Sequence, residues 1–441
     1  MKFLTRTIIV LVVLNLAIGN LALAQAEGQA EPTARRQTPV PTPVEPTPPT
    51  LPTPKPITFP KIDRRPPAMN YPRGKMTELP TYDADSRSAW QVDLRAYNLS
   101  ELDLRSSLES LFYASFDDRT IWPSDNRMPQ GFDPRHIMEL GKNPGPGIRD
   151  LHSQGITGKG VGIAIIGQTL LVDHQEYRNQ LRLYEETDDI TGGLLKSQMA
   201  GVAIASLAVG KTVGVAPEAD LYYIATVCGG RGKDFNDFSY LARSIRRILQ
   251  VNEQLPKQQR IRVIAITKTK GWSEEVMGYE DVTKAAQEAK AAGMLVICSS
   301  VEKVHGFRFH GLGRSMLADP NSFTSYGPGL SWAKSFYSRE GKAKEDYSGR
   351  LFVPADSRTT ACPLGNDEYV FYRQGGWSWS IPYIAGVYAL AAQVEPTITP
   401  ERFWSLAMKT GRTIQLDKKD EIIPLGPIID PVALISTLQK K

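Results

Sequence analysis

Histidine and cysteine are both scarce in this chain of 441 residues, which holds five of the one and three of the other. No Cys-x-x-Cys or Cys/His spacing occurs, so the sequence offers no metal centre and implies no cofactor. Cys228, Cys298 and Cys362 allow at most one disulfide and leave a thiol over, which excludes a disulfide framework. Cys298 lies in the apolar run Met294-Leu295-Val296-Ile297 and reads as a buried, inert thiol. An excess of one charge is lacking too: 52 basic residues stand against 47 acidic ones, with no dense Lys/Arg run to track phosphates. A nucleic-acid partner is therefore not expected.

What is present places the chain among globular proteins, since 41% of it is hydrophobic and 22% charged. Its length suffices for one large domain or two modest ones. Lys2 and Arg6, the mostly apolar stretch Thr7 to Leu23 and the small residues of Ala22-Leu23-Ala24 read as a signal peptide over residues 1–24, cleaved before Gln25. The protein is thus expected to be exported, extracellular or on the cell surface. It meets a membrane only if the segment stays uncleaved, a role that Asn15, Gly19 and Asn20 weaken. Between residues 32 and 67 stand 13 of the 32 prolines, so residues 25–68 read as an extended, semi-rigid linker. Residues 69–145, where Leu94, Leu99, Leu102, Leu104 and Leu108 recur among polar residues, read as a small lead-in subdomain. The folded part is expected to begin near Met69.

From Gly147 the pattern alternates between strand and helix. Val161 to Ile166, Ala219 to Thr226, Arg262 to Thr267 and Met294 to Ser299 read as buried strands. Between them lie an Ala-rich helix from Met199 to Val209 and a helix with Leu241, Ala242, Ile245 and Ile248 on one face. A further helix, starting at Asp281 and ended by Gly293, carries the stripe Val282, Ala285, Ala286, Ala289. Repeated βα units of this kind predict an α/β fold, a mainly parallel sheet flanked by helices on both faces.

Three blocks carry a resemblance. Gly158-Lys-Gly-Val-Gly-Ile-Ala-Ile-Ile166 followed by His174, then Gly214-Val-Ala-Pro-Glu-Ala-Asp-Leu-Tyr-Tyr223, then Gly376-Trp-Ser-Trp-Ser-Ile-Pro-Tyr-Ile-Ala-Gly386 resemble, in that order, the landmark blocks of the subtilisin-like serine protease family. The resemblance covers about residues 147 to 410 and implies a three-layer subtilisin-like domain over residues 146–438. It puts Ser378 in the nucleophile's position, although a serine at a helix start is also a common cap. The family's triad runs Asp, His, Ser along the chain, the imidazole taking the hydroxyl proton and the carboxylate holding the imidazole. Here the Asp position, directly after the first strand, is Gly167, and the His position, at the start of the helix before Gly-Val-Ala-Pro, is Ala200. Asp173 lies too far past the strand to substitute, and His174 matches a non-catalytic histidine of the family. The family's oxyanion-binding Asn is missing as well: no Asn occurs from Glu253 to Pro320, which leaves Ser299 or Ser300 as weaker donors.

The resemblance implies a serine endopeptidase, and the residues at its catalytic positions imply an inactive one. Without a base the Ser378 hydroxyl stays protonated and is a poor nucleophile; in subtilisin, loss of the serine or histidine costs about a millionfold in turnover. The expected function is that of a pseudoprotease that keeps a groove for a polypeptide or protein ligand, with Gly376 and Trp377 as candidate substrate-binding residues unless the tryptophans here belong to the core. One alternative is active proteolysis with a lysine base drawn from Lys211, Lys268 or Lys270. A Ser-Glu-Asp site of sedolisin type is disfavoured, because Met199 to Val209 contains no acid. Another alternative is a structural, surface-displayed protein whose groove has no ligand.

Overall fold

The computed structural model describes residues 56–71, 73–84, 86, 88–228, 237–267, 275–298, 306–337, 347–418 and 421–440. The chain divides into two units, Met1–Pro54 and Lys55–Lys441, and the described residues all belong to the second. The expected signal peptide and most of the Pro-rich segment lie outside them.

In chain order the strands are β1 (Lys61–Ile62), β2 (Val92–Asp93), β3 (Ala114–Asp117), β4 (Gly162–Gly167), β5 (Leu181–Glu186), β6 (Asp220–Ala225), β7 (Ile261–Ile266), β8 (Leu295–Ile297), β9 (Phe309–Arg314), β10 (Tyr326–Pro328), β11 (Leu351–Pro354), β12 (Arg358–Ala361), β13 (Tyr369–Tyr372), β14 (Arg412–Lys418) and β15 (Glu421–Ile428). The helices are α1 (Leu108–Leu111), α2 (Pro134–Lys142), α3 (Ile148–Ser153), α4 (Met199–Val209), α5 (Ser239–Glu253), α6 (Tyr279–Ala291), α7 (Ala333–Tyr337), α8 (Trp377–Val394), α9 (Pro400–Thr410) and α10 (Pro431–Gln439).

Six strands form the central sheet in the order β1-β5-β6-β4-β7-β8, every neighbouring pair parallel. Its strands are apolar runs because both faces are covered. On β4, Ile163 and Ile165 join the cluster that includes Val202, Leu207, Ile384 and Val387 of α4 and α8. Ala164 and Ile166 join the opposite cluster, with Leu241, Ile245 and Ile248 of α5 and Val282, Ala285 and Ala289 of α6. This period-two division of one strand between two helical layers is the three-layer α/β arrangement that the sequence predicts. Helix α4 lacks a polar face because Gly201 to Val209 are all buried. In α8 the small Gly386 admits a close neighbour: a Cβ there would stand 2.5 Å from Val215 Cβ. Helix α6 starts two residues before Asp281, and Gly293 follows it in the left-handed region, φ 80°, as helix ends favour.

The stretch read as linker is part of the folded unit from Pro56 onward: β1 lies beside β5, Lys61 pairs with Glu185 at 2.6 Å, and Arg64 makes a two-bond fork with Glu186. The physical reason is that the sheet edge offers an unpaired ladder and two carboxylates, which a Pro-rich strand with two cations can cover. The lead-in residues pack against the larger domain. Strands β2 and β3 complete a four-stranded sheet, β12-β13-β3-β2, whose other half comes from the hairpin ahead of α8. Phe116 and Trp122 pack there with Phe132 and Phe371.

Candidate functional site

The loop after β4 meets the start of α4 at the sheet's carboxyl edge. Strand β4 ends at Gly167, and the carbonyl of Thr169 accepts the Gln198 amide at 2.8 Å, which ties the loop after β4 to the start of α4. Ala200, in the first turn of α4, is half-buried. Gly376 is the N-cap of α8, with φ 70° and ψ −169°, a conformation open essentially to glycine alone. Ser378 therefore sits inside the first turn, half-buried, and is not the cap; the cap makes no side-chain hydrogen bond. The neighbours of Ala200 and Ser378 are joined through two side chains: Arg95 Nη1 lies 3.3 Å from Met199 Sδ and 3.2 Å from the Tyr372 hydroxyl, and the Tyr372 ring meets Trp379 edge-on at 4.8 Å. Trp379 is buried, so this tryptophan belongs to the core. The Trp377 side chain lies outside the described part of the structure.

A side chain at position 167 requires its neighbours to shift. A Cβ there would stand 2.7 Å from Thr267 Oγ1 and 2.9 Å from the Tyr223 hydroxyl, closer than real side chains approach. Tyr223 is fully buried, and its hydroxyl donates to Gln168 O at 2.5 Å. Burial raises its pKa, so it remains a neutral donor.

No described histidine takes the place of the base. His174 is buried, its Nε2 3.0 Å from Glu368 O, while its Nδ1 accepts the Glu176 amide. His152 on α3 has Nε2 2.8 Å from Val215 O, and burial lowers the pKa of both rings. On β9 the Cβ direction of Gly311 points at Ser380 Oγ, 2.8 Å away. Adjacent strand residues face opposite sides, so His310 points away from α8 and stacks on Trp332 with ring centroids 4.9 Å apart. Burial, with Arg350 and Arg308 nearby, pushes its pKa down to about 3. His136 lies on α2, and His305 falls outside the described residues.

Among the candidate lysines, Lys211 is exposed at the far end of α4 from Ala200, about 16 Å along the axis at the rise of an α-helix. It cannot serve as base for Ser378 from there. Lys268, Lys270, Ser299 and Ser300 lie outside the described residues.

Two features of the site carry no motif. Asp356, after β11, is buried, and its carboxylate accepts the amides of Leu330 and Gly375 at 2.8 Å and of Gly376 at 3.4 Å. It thereby holds the turn that delivers Ser378. Burial pushes its pKa up, against the pull of these amides and of Arg373. The second feature is the lead-in segment itself, which lies across both helix starts. Met69 N donates to Pro363 O and Ser197 Oγ, Ser197 N donates to Pro67 O, and Trp90 Nε1 donates to Gln374 O at 2.9 Å. Arg95, forked onto Asp93, stacks over the Trp90 and Tyr372 rings.

No family model and no curated protein matches the chain. Among solved structures it is similar to the prenylagaramide maturation protease PagA, with a TM-score of 0.44 and 14% identity over 67% of this chain and 99% of that one. The PatG macrocyclase domain matches with a TM-score of 0.44 and 14% identity, covering 67% of this chain and 96% of that one. The PatG macrocyclase in complex with peptide matches with a TM-score of 0.43 and 15% identity over the same shares.

Proposed function

We propose that the chain is an exported, subtilisin-like pseudoprotease that binds a polypeptide and does not cleave it through Ser378. The observation that carries this reading is the closed space at Gly167. A missing histidine alone could be replaced from another element, but a triad also needs its orienting carboxylate, and Tyr223 and Thr267 fill the volume that carboxylate would need. With Ala200 in the base position, the hydroxyl keeps its proton at neutral pH. The polypeptide ligand is argued from the Gly-rich turn before α8 and the parallel sheet beneath it, where an extended segment can add by main-chain hydrogen bonds. The test is intact-mass analysis after treatment with a fluorophosphonate, alongside Ser378→Ala. No adduct is expected on either protein; a stoichiometric adduct lost in the variant would overturn the reading and direct the search for a base to Lys268 and Lys270.

A second reading, a structural protein whose site has no ligand, is favoured by the course of residues 67–96 across the starts of α4 and α8. Retention of unfolded casein by the immobilised chain, competed by short extended peptides, supports the first reading. Absence of such retention supports the second.

A further inference from the structure

Beside the turn that holds Ser378, but on the other side of Asp356, a cleft of about 280 Å³ opens between β9, β10 and the end of β13. Its wall includes Gly313, Arg314, Ser325, Gly327 and Arg373. Arg314 is 3% exposed, and its guanidinium donates only to main-chain carbonyls: Nη1 to Ser315 O and Ala318 O, Nη2 to Ser357 O at 2.9 Å. Arg373 donates from Nε to Phe112 O at 2.7 Å and from Nη1 to Ser357 Oγ at 3.1 Å. Two guanidinium groups thus converge on one residue. Ser357 itself has φ 56°, a left-handed conformation uncommon for a residue other than glycine.

Neither arginine has a carboxylate within ion-pair distance among the described residues. The acid nearest in sequence, Asp356, is committed to the amides of Leu330, Gly375 and Gly376, all neutral donors. Asp356 offsets part of the charge of Arg373 and Asp319 part of that of Arg314, neither within ion-pair distance, so an anion held by both guanidinium groups would complete the site. Burial lowers the pKa of both guanidinium groups, and the charge of Arg373 adds to the effect on Arg314. Guanidinium is also the group best matched to oxygen anions, through its planar fork of donors.

We propose that this cleft is an oxyanion site, in which Arg314 and Arg373 hold the carboxylate or phosphate of a small ligand. It does not depend on Ser378 or on the pseudoprotease reading.

The test is thermal unfolding of the full chain at fixed ionic strength, with chloride replaced stepwise by phosphate in one arm and by succinate in the other. A saturable rise of about 3 °C is expected at a hundredfold excess over the dissociation constant. A rise with phosphate alone identifies a phosphate ligand, and a rise with succinate alone a carboxylate. Arg373→Lys keeps the charge and removes the fork, and is expected to weaken binding at least about tenfold. Because a change at this half-buried arginine can unfold the protein, Gly327→Asp provides a second test. A Cβ at Gly327 has nothing within 4 Å, so the new carboxylate has room in the cleft wall. It is expected to raise the midpoint in chloride alone and to abolish the response to added anion, while Gly327→Asn leaves that response intact. The proposal fails if neither anion shifts the midpoint, or if Gly327→Asp leaves the shift unchanged.

Discussion

Tyr223 and Thr267 crowd the Asp position, although neither has a catalytic role in the motifs. Their hydroxyls occupy the space around Gly167, so Gly167→Ala is expected to destabilise the protein by about 1–3 kcal/mol, the usual cost of overpacking a core. Adding Tyr223→Phe and Thr267→Ala removes both obstructing oxygens, and should recover part of that loss in urea unfolding. That Gly167 lies at the end of β4 and Ala200 in the first turn of α4 could be read from the sequence, because the apolar strand and the Ala-rich helix mark both elements. Tyr223 and Thr267 could not, since their meeting with Gly167 depends on neighbouring strands pairing in register across the sheet. His310 gives a second prediction at this scale. Its folded pKa of about 3 lies below the ordinary histidine value, so its contribution is complete above about pH 6.5 and is lost as pH falls, while the unfolded chain takes up the proton first. Stability should drop by about 1.4 kcal/mol per pH unit from this group. His310→Phe, which suits the aromatic stack, should flatten the pH profile of urea unfolding by that amount below pH 6.5, leaving the contributions of His152 and His174, whose pKa values burial also lowers.

At the scale of elements, β4, β6, β7 and β8 were legible and the β1–β5 side of the sheet was not. β4, β6 and β7 are buried on both faces and read as continuous apolar runs, whereas β1 is two residues, Lys61 and Ile62, within a Pro-rich stretch. Nothing local marks β1 as a strand. It exists because β5 offers an edge, and because Glu185 and Glu186 meet Lys61 and Arg64. The edge also gathers Ile57 and Phe59, the latter edge-on to Tyr222 at 5.8 Å. A chain beginning at Lys55 should therefore fold, while one beginning at Met69, the start that composition alone suggests, should lose about 3 kcal/mol from the exposed Ile57, Phe59 and Ile62 contacts. It should also self-associate through the uncovered β5 edge. Denaturant unfolding and sedimentation velocity on the two chains measure these outcomes. Equal stability would mean that β1 is a passive passenger on the sheet.

For the whole molecule, the course of residues 67–96 raises a question that labelling of the native chain alone does not answer. An unlabelled serine is either unactivated or shielded, and Trp90 and Arg95 lie beside the turn that carries Ser378. The two explanations separate in Trp90→Ala. This change removes the hydrogen bond to Gln374 O and the ring that Arg95 covers, at a cost of about 3 kcal/mol, the low end for loss of a large aromatic. Loosening of the lead-in segment should then show as faster amide exchange over residues 88–96 and 374–376. If Ser378 lacks an activating base, the loosened protein stays unlabelled by fluorophosphonate, because acylation needs a proton removed from Oγ and opening a path supplies no acceptor for it. If labelling appears only in Trp90→Ala, the lead-in segment is an inhibitory cover over a working serine, and the base is to be sought among Lys268, Lys270 and His305, which lie outside the described residues. The crowding at Gly167 bears on one source of activity only: with Tyr223 hydrogen-bonded to Gln168 O, a Ser-His-Asp triad lacks its orienting carboxylate, so any labelling in Trp90→Ala would point to a base that needs none, such as a lysine.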